Sequence, residues 1–218
     1  MIIIEPSYEL ILPTFPQDML KDVEKAGRTC YRSEDLITDD SAPKFVQMLI
    51  NRGHEAMIEH ASFSIKWITD RATLAEITRH RLCSFGVESS RYCCYAKDKF
   101  NNQITFIRPL WINDENNDNY DTANIVFTDT CEWAEENYLR LLKLGYKPEQ
   151  ARDILPNCLK TEIVMTANLR EWRHFFKLRT ANVAAPEMRR ITRPALDELK
   201  QLIPIVFDDI EYSVKENS

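Results

Sequence analysis

Residues 62–81 read SFSIKWITDRATLAEITRHR. Phe63, Ile65 and Trp67 alternate with Ser62, Ser64 and Lys66, the two-residue period of a half-buried strand. Asp70 stands where that period changes. It is placed to cap a helix that carries Leu74 and Ile77 and ends in the triplet Arg79-His80-Arg81. Around this strand-to-helix passage, strands and helices mix without a regular βαβ alternation, which indicates the α+β class. Upstream, residues 2–4 and 8–12 are apolar segments broken by Pro6 and Pro13, and are expected as strands. Helices are expected over 17–26 and from Ser41, with Pro43 in its first turn, to Gly53. Downstream, Ile104–Ile107 is expected as a strand stopped by Pro109, and residues 111–121 as a loop. A long helix follows over 120–144, closed by Gly145, then a short one from Pro148. Ile163–Thr166 is expected as a strand, Asn168 and Glu171 as a capping box, and 186–207 as the last helix, bent at Pro194. The pattern predicts one domain, residues 1–218, with a mostly antiparallel sheet packed by helices.

Composition narrows the chemistry. The chain has 218 residues, 44% hydrophobic and 28% charged, enough for a core without metal or disulfide staples. Only four glycines occur, with no GxGxxG and no GxxxxGK[ST], which argues against Rossmann and P-loop phosphate cradles. The six cysteines form no CxxC pair, so no zinc or other metal site is expected, and they read as reduced thiols of a cytoplasmic protein. Cys158, in LPNCL, is read as buried and inert. The start, MIIIEPSYELILP, lacks a basic n-region and reads as a strand rather than a signal peptide. No apolar run is long enough to span a membrane.

The formal charge is -6, yet cations gather in two places, and cations gathered against a chain's net charge mark a place where an anion is held. The first place is the Arg79-His80-Arg81 triplet. Consecutive helix residues point about 100° apart, so the three would fan out toward different contacts. Ser84, Ser89, Ser90 and Arg91 add hydroxyls, backbone N–H groups and a guanidinium, a phosphate-binding set without glycine richness. Ser89 as a nucleophile would need a base and an orienting acid, and neither pattern is present. The second place is NLREWRHFFKLR, residues 168–179. On a helix, Arg170, Arg173, His174 and Lys177 share one face while Trp172, Phe175 and Phe176 face the core. Arg173 and Lys177 are read as solvated, and Arg170 and His174 as ligand contacts. Arg179 falls on the apolar side, where a cation needs an anion or a carbonyl.

Together these residues resemble the flavin-dependent thymidylate synthases. The likeness lies in Arg79-His80-Arg81 followed by seven residues and Ser89, with EHASF before the triplet, RY after it, ARDILP at 151–156 and TANLREWRHFFKLR at 166–179. It implies a homotetramer with active sites at subunit junctions, small-molecule substrates, and neither a nucleic-acid partner nor a membrane. It implies FAD held by Ser62, Arg79, His80, Arg81 and Val87, with Asn168, Leu169, Arg170 and His174 from a different subunit. It implies dUMP held by Glu76, Arg79, Glu88, Ser89, Ser90, Arg91, Arg152 and Arg179. At the position of Arg179 the family's arginine meets the uracil ring and favours ionisation at N3. NADPH and 5,10-methylenetetrahydrofolate would be co-substrates in making dTMP. Glu76 replaces a glutamine common in the family, and the loop acid is moved by one position, which leaves open whether Val87 or Glu88 makes the loop contact. Two other readings use the same residues: a nucleotide- or RNA-binding module stacking bases on Phe85, Tyr92 and Tyr95, and a flavin reductase without methylation.

Overall fold

The computed structural model describes residues 1–13, 15–91, 103–113 and 115–213. Tyr92 and Tyr95, proposed above as stacking residues, lie outside them. By its internal contacts the chain divides into two compact units. One comprises 1–7, 67–79 and 86–163, the other 8–66, 80–85 and 164–218.

In the first unit β1 (Ile2–Ile4) pairs in parallel with β5 (Thr105–Ile107), Ile3 facing Phe106. Around them run α3 (Arg71–Ile77), α4 (Tyr120–Lys143) and α5 (Pro148–Ala151). Ile104, Phe106, Phe127, Cys131, Tyr138 and Leu159 form a shared core. Asp70 caps α3 as its sequence position requires: its Oδ1 accepts from the Thr73 N–H at 2.7 Å. Gly145 follows the end of α4 with φ of 93°, a left-handed conformation that a side chain would disfavour.

The second unit holds α1 (Asp18–Tyr31), α2 (Ala42–Asn51), α6 (Leu169–Arg179), α7 (Pro186–Leu202) and α8 (Pro204–Phe207). Its strands are β2 (Ser7–Ile11), β3 (Ser62–Asp70), β4 (Ser84–Val87) and β6 (Lys160–Asn168), whose sequences continue into the first unit. Their order is β2-β3-β6-β4, an antiparallel sheet, and the class is α+β as the sequence indicates. Trp172 is the centre of the packing. Its ring stacks on Phe63 at 5.0 Å and its indole N–H donates to the Phe63 carbonyl at 3.1 Å. Phe175, Phe176 and Phe207 close around it, each fully buried. Side chains of this size contribute about 2–3 kcal/mol apiece by burial, which anchors α6 on the sheet. Gly27 lets α1 approach α2, since a Cβ there would lie 2.5 Å from the Phe45 ring.

Three local expectations fail, one of them near the end of the chain, where the helix expected over 186–207 closes at Leu202 and restarts as α8 after Ile203. Helix α3 stops at Ile77, so the Arg79-His80-Arg81 triplet follows the helix instead of ending it. The Thr78 hydroxyl turns back to the carbonyls of Leu74 and Ala75, and the Arg79 N–H to that of Glu76, closing the last turn. The triplet therefore does not fan from a helical surface. Ser84–Val87, read as loop, is a strand. It is too short for its own periodicity to show, and its pairing depends on strands far away in sequence.

Candidate active site

Helix α6 carries one set of candidate residues. Its N-cap is Asn168, whose Oδ1 accepts from the Glu171 N–H at 2.9 Å. That is half of the expected capping box. The Glu171 carboxylate turns to the segment after α3 instead: its Oε1 lies 3.5 Å from Nδ1 of His80 and 4.0 Å from the Cys83 thiol. Both His80 and Glu171 are buried. On the other side of the His80 ring, Nε of Arg179 donates to Nε2 at 2.9 Å. One partner of Arg179 on the apolar side of α6 is thus a ring nitrogen. Burial, the Arg179 guanidinium and His174 push the His80 pKa down to about 4, so the ring is neutral at neutral pH. Burial first, and then the Glu171 carboxylate, push the Cys83 thiol up to about 12. Burial also raises the Glu171 pKa, against a smaller lowering by His174.

The polar face of α6 borders a hollow of about 570 Å³ lined by Glu55, Glu59, Leu82, Asn168, Arg170 and His174, among others. Arg170 is half exposed on its rim and donates to Glu59 at 2.6 Å, with Glu55 at 3.8 Å. Arg173 corrects the sequence reading. It is buried, not solvated, and makes a two-pronged pair with Asp209 at 2.6 and 2.7 Å, plus a hydrogen bond to the Val206 carbonyl. Lys177 is exposed, as expected for a solvated side chain. Ser62 and Arg81 are exposed, whereas Leu169 is a core residue whose N–H donates to the Ala61 carbonyl. The hollow has the size of a ligand site, and its rim offers a guanidinium, an imidazole and an amide. These are donors suited to a flavin dinucleotide, provided that its phosphates displace Glu59 from Arg170.

His80, Glu171 and His174 also bring one donor atom each within 4.8 Å of one another, a set that could hold a metal ion. The sequence shows no such signal, because the three residues come from separated segments. The Arg179 guanidinium on Nε2 of His80 opposes a cation there.

The first unit carries the other set. Ser90 is buried, and its hydroxyl oxygen accepts from Nη1 of Arg152 at 3.1 Å. Both line a hollow of about 280 Å³ with Arg71, Asp153, Asn157 and Leu159. Arg71, placed here by the first turn of α3, was missed in the sequence because nothing local distinguishes it. Two arginines, one buried hydroxyl and a single aspartate make this hollow suited to an anion. Ser89 is half-buried; Arg79 and Arg91 are exposed, and Nε of Arg91 lies 3.5 Å from Glu149. The Glu88 carboxylate accepts from Lys160 at 3.0 Å, while Val87 is exposed. Glu76 lies half-buried in the last turn of α3. Cys158 is half-buried rather than buried, its sulfur 3.8 Å from that of Cys131. The contact with Cys158 and then burial raise the Cys131 pKa, which keeps that thiol protonated.

A buried seryl–arginyl anion hollow and a helix presenting arginine and histidine are the equipment of a nucleotide-handling enzyme. Residues 10–205 match the family model of the thymidylate synthase complementing proteins, and the chain belongs to that family. A flavin-dependent thymidylate synthase of Mycolicibacterium vanbaalenii is 33% identical over 211 residues, covering 88% of this chain and 80% of that one. One from Pyrococcus furiosus is 32% identical over 191 residues, covering 87% and 73%. The fold is also that of a UMP/dUMP methylase, PolB of Streptomyces cacaoi, solved with 5-bromo-dUMP: TM-score 0.77, 23% identity, 95% of this chain and 96% of that one. No helix among the described residues is long and apolar enough to cross a membrane.

Proposed function

We propose that this chain is a flavin-dependent thymidylate synthase that reductively methylates dUMP to dTMP. The observation that carries the reading is the family match over residues 10–205 in a chain whose Ser90 and Arg152 meet in an anion hollow. Ser89, Ser90, Arg91 and Arg152 hold the nucleotide phosphate. Arg79, Glu76 and Glu88 contribute further dUMP contacts. Ser62, Arg79, His80, Arg81, Val87, Asn168, Leu169, Arg170 and His174 hold FAD. Bound FAD, reduced by NADPH, supplies the hydride, and 5,10-methylenetetrahydrofolate supplies the carbon.

Arg179 is the catalytic residue. A guanidinium fixed against the uracil ring stabilises the anion formed when N3 loses its proton, and electron density then moves toward C5, where the carbon attaches. Because the charge is already in place, no reorganisation is needed as the reaction proceeds, and no enzyme nucleophile is required. The chain acts as one catalytic domain, residues 1–218, in a cytoplasmic homotetramer with its active sites at subunit junctions.

The purified protein should be yellow, and should form dTMP only when dUMP, methylenetetrahydrofolate and NADPH are all present. Arg179→Ala should keep the flavin absorbance and lose at least about a hundredfold in turnover. A protein that never takes up flavin refutes the reading. NADPH oxidation indifferent to dUMP and folate would mark a simple flavin reductase.

A further inference from the structure

Arg179 and Glu171 sit on opposite edges of the His80 ring, and their protonation states constrain the ring between them. A guanidinium is a donor only and stays charged, so Nε2 of His80, 2.9 Å from Nε of Arg179, must be the acceptor. A neutral imidazole with Nε2 as acceptor carries its proton on Nδ1. Oε1 of Glu171 lies 3.5 Å from that nitrogen, slightly longer than a hydrogen bond. His80 and Glu171 are held by packing. The His80 ring is only 4% exposed and lies edge-on to Phe175 at 4.8 Å. Glu171 is 9% exposed and has the Cys83 thiol on its other flank. The Arg179 backbone is pinned too, its carbonyl accepting from the Thr192 hydroxyl at 3.0 Å. Glu171 could have completed the capping box of α6 by reaching back to Asn168. It leaves that local partner unused and faces the ring instead.

We infer that Glu171 is a positioning residue: its carboxylate holds the His80 ring with the proton on Nδ1, and Nε2 of that ring fixes the orientation in which the Arg179 guanidinium meets the pyrimidine. The consequence for catalysis rests on the proposed role of Arg179; the state of the His80 ring does not. With Glu171 replaced by glutamine, the side-chain amide can donate to Nδ1. That favours the proton on Nε2, where it collides with the donor on Arg179. The guanidinium then loses the hydrogen bond that this ring accepts from it.

The test uses the flavin-loaded protein with 15N-labelled histidine. The chain has four histidines, and His80→Gln identifies the His80 signals. The wild-type ring should show the Nδ1–H tautomer at pH 7. Glu171→Gln should populate the Nε2–H tautomer, retain flavin, and lower kcat/KM for dUMP about tenfold to a hundredfold, the range expected when a reacting group is misplaced. Glu171→Asp, which keeps the charge on a shorter arm, should recover part of both readouts. A wild-type ring in the Nε2–H or doubly protonated form overturns the inference. So does a Glu171→Gln protein whose tautomer and kinetics match the wild type. Stoichiometric Zn2+ bound through His80 and His174 overturns it as well, because a metal on either ring nitrogen is incompatible with a proton on Nδ1 and an Nε2 that accepts from Arg179. Should the wild type not turn over dUMP at all, the proposed function fails, while the tautomer and its response to Glu171→Gln still decide the relay.

Discussion

Removing Asp209 should do more harm than removing Asp209 and Arg173 together. Arg173 is 3% exposed and its guanidinium is met by both oxygens of Asp209, by the Val206 carbonyl and, at 3.5 Å, by Glu55. Breaking a fully buried ion pair by deleting one partner costs about 3–5 kcal/mol, since the other charge is left without compensation. Asp209 is itself half exposed, and Glu55 and the carbonyl remain, so Asp209→Ala should cost about 2 kcal/mol. In the double variant Arg173→Met/Asp209→Ala, an apolar chain of similar length fills the site and no charge is stranded. Its cost should be about 1 kcal/mol, mostly the lost partner of the Val206 carbonyl. For a chain of this size these values lower the melting temperature by about 6 °C and about 3 °C. Calorimetry at one protein concentration, with flavin saturating, measures both. The pH response has a defined sign. The hydrogen bonds from Arg173 hold the Asp209 carboxyl below the usual carboxylate range. The stability from the pair is therefore present above the unfolded pKa and is lost as pH falls through the depressed folded value, where wild type and Asp209→Ala should converge. An Asp209→Ala protein melting within about 1 °C of wild type, or a double variant less stable than the single, would refute the stranded-charge reasoning.

Ser90→Ala and Arg152→Gln should each raise KM for dUMP about tenfold or more, with a smaller effect on kcat, as expected for a phosphate grip felt equally before and during reaction; steady-state kinetics read this directly. The His80 pKa of about 4 lies below its ordinary 6.5, so the unfolded chain binds the extra proton first. Stability should be complete above pH 6.5 and fall as pH drops toward 4, by at most about 3 kcal/mol, and His80→Gln should flatten that part of a urea-denaturation pH series. Cys158→Ala should turn over dUMP within about twofold of wild type; a folded but inactive variant would point to thiol chemistry.

What the sequence discloses and what it withholds divide by distance along the chain. The strand over Ser62–Asp70, the Asp70 cap and the apolar face of α6 are local patterns, and each forms as its period requires. One partner of Arg179 is 99 residues away and one of Arg173 is 36 residues away, so periodicity could establish the face but not the contact. Arg173 shows the limit. Its spacing matches that of a solvated stripe, yet a carboxylate near the end of the described chain receives it and makes burial tolerable. Glu171 shows a competition between near and far partners. Its spacing from Asn168 is that of a capping box, but only the backbone half forms, because a buried imidazole lies within reach of the carboxylate.

That competition bears on what the His80 contact does for Arg179. Elsewhere on α6 two cations meet carboxylates: Arg170 meets Glu59 and Arg173 meets Asp209. A guanidinium paired that way has much of its field cancelled by its partner, which suits anchoring and is poorly suited to stabilising new negative charge. The neutral His80 ring supplies an acceptor of fixed direction without adding an opposing charge. Glu171, one ring further back, secures that acceptor from a distance at which its own charge subtracts less from Arg179. A carboxylate in place of the His80 ring would orient Arg179 as well and weaken it as an electrophile. Replacing His80 by glutamate should therefore lower the turnover of the flavin-saturated protein about as severely as Arg179→Ala, by about a hundredfold, and near-wild-type turnover in flavin-saturated His80→Glu would show that orientation alone is what Arg179 needs.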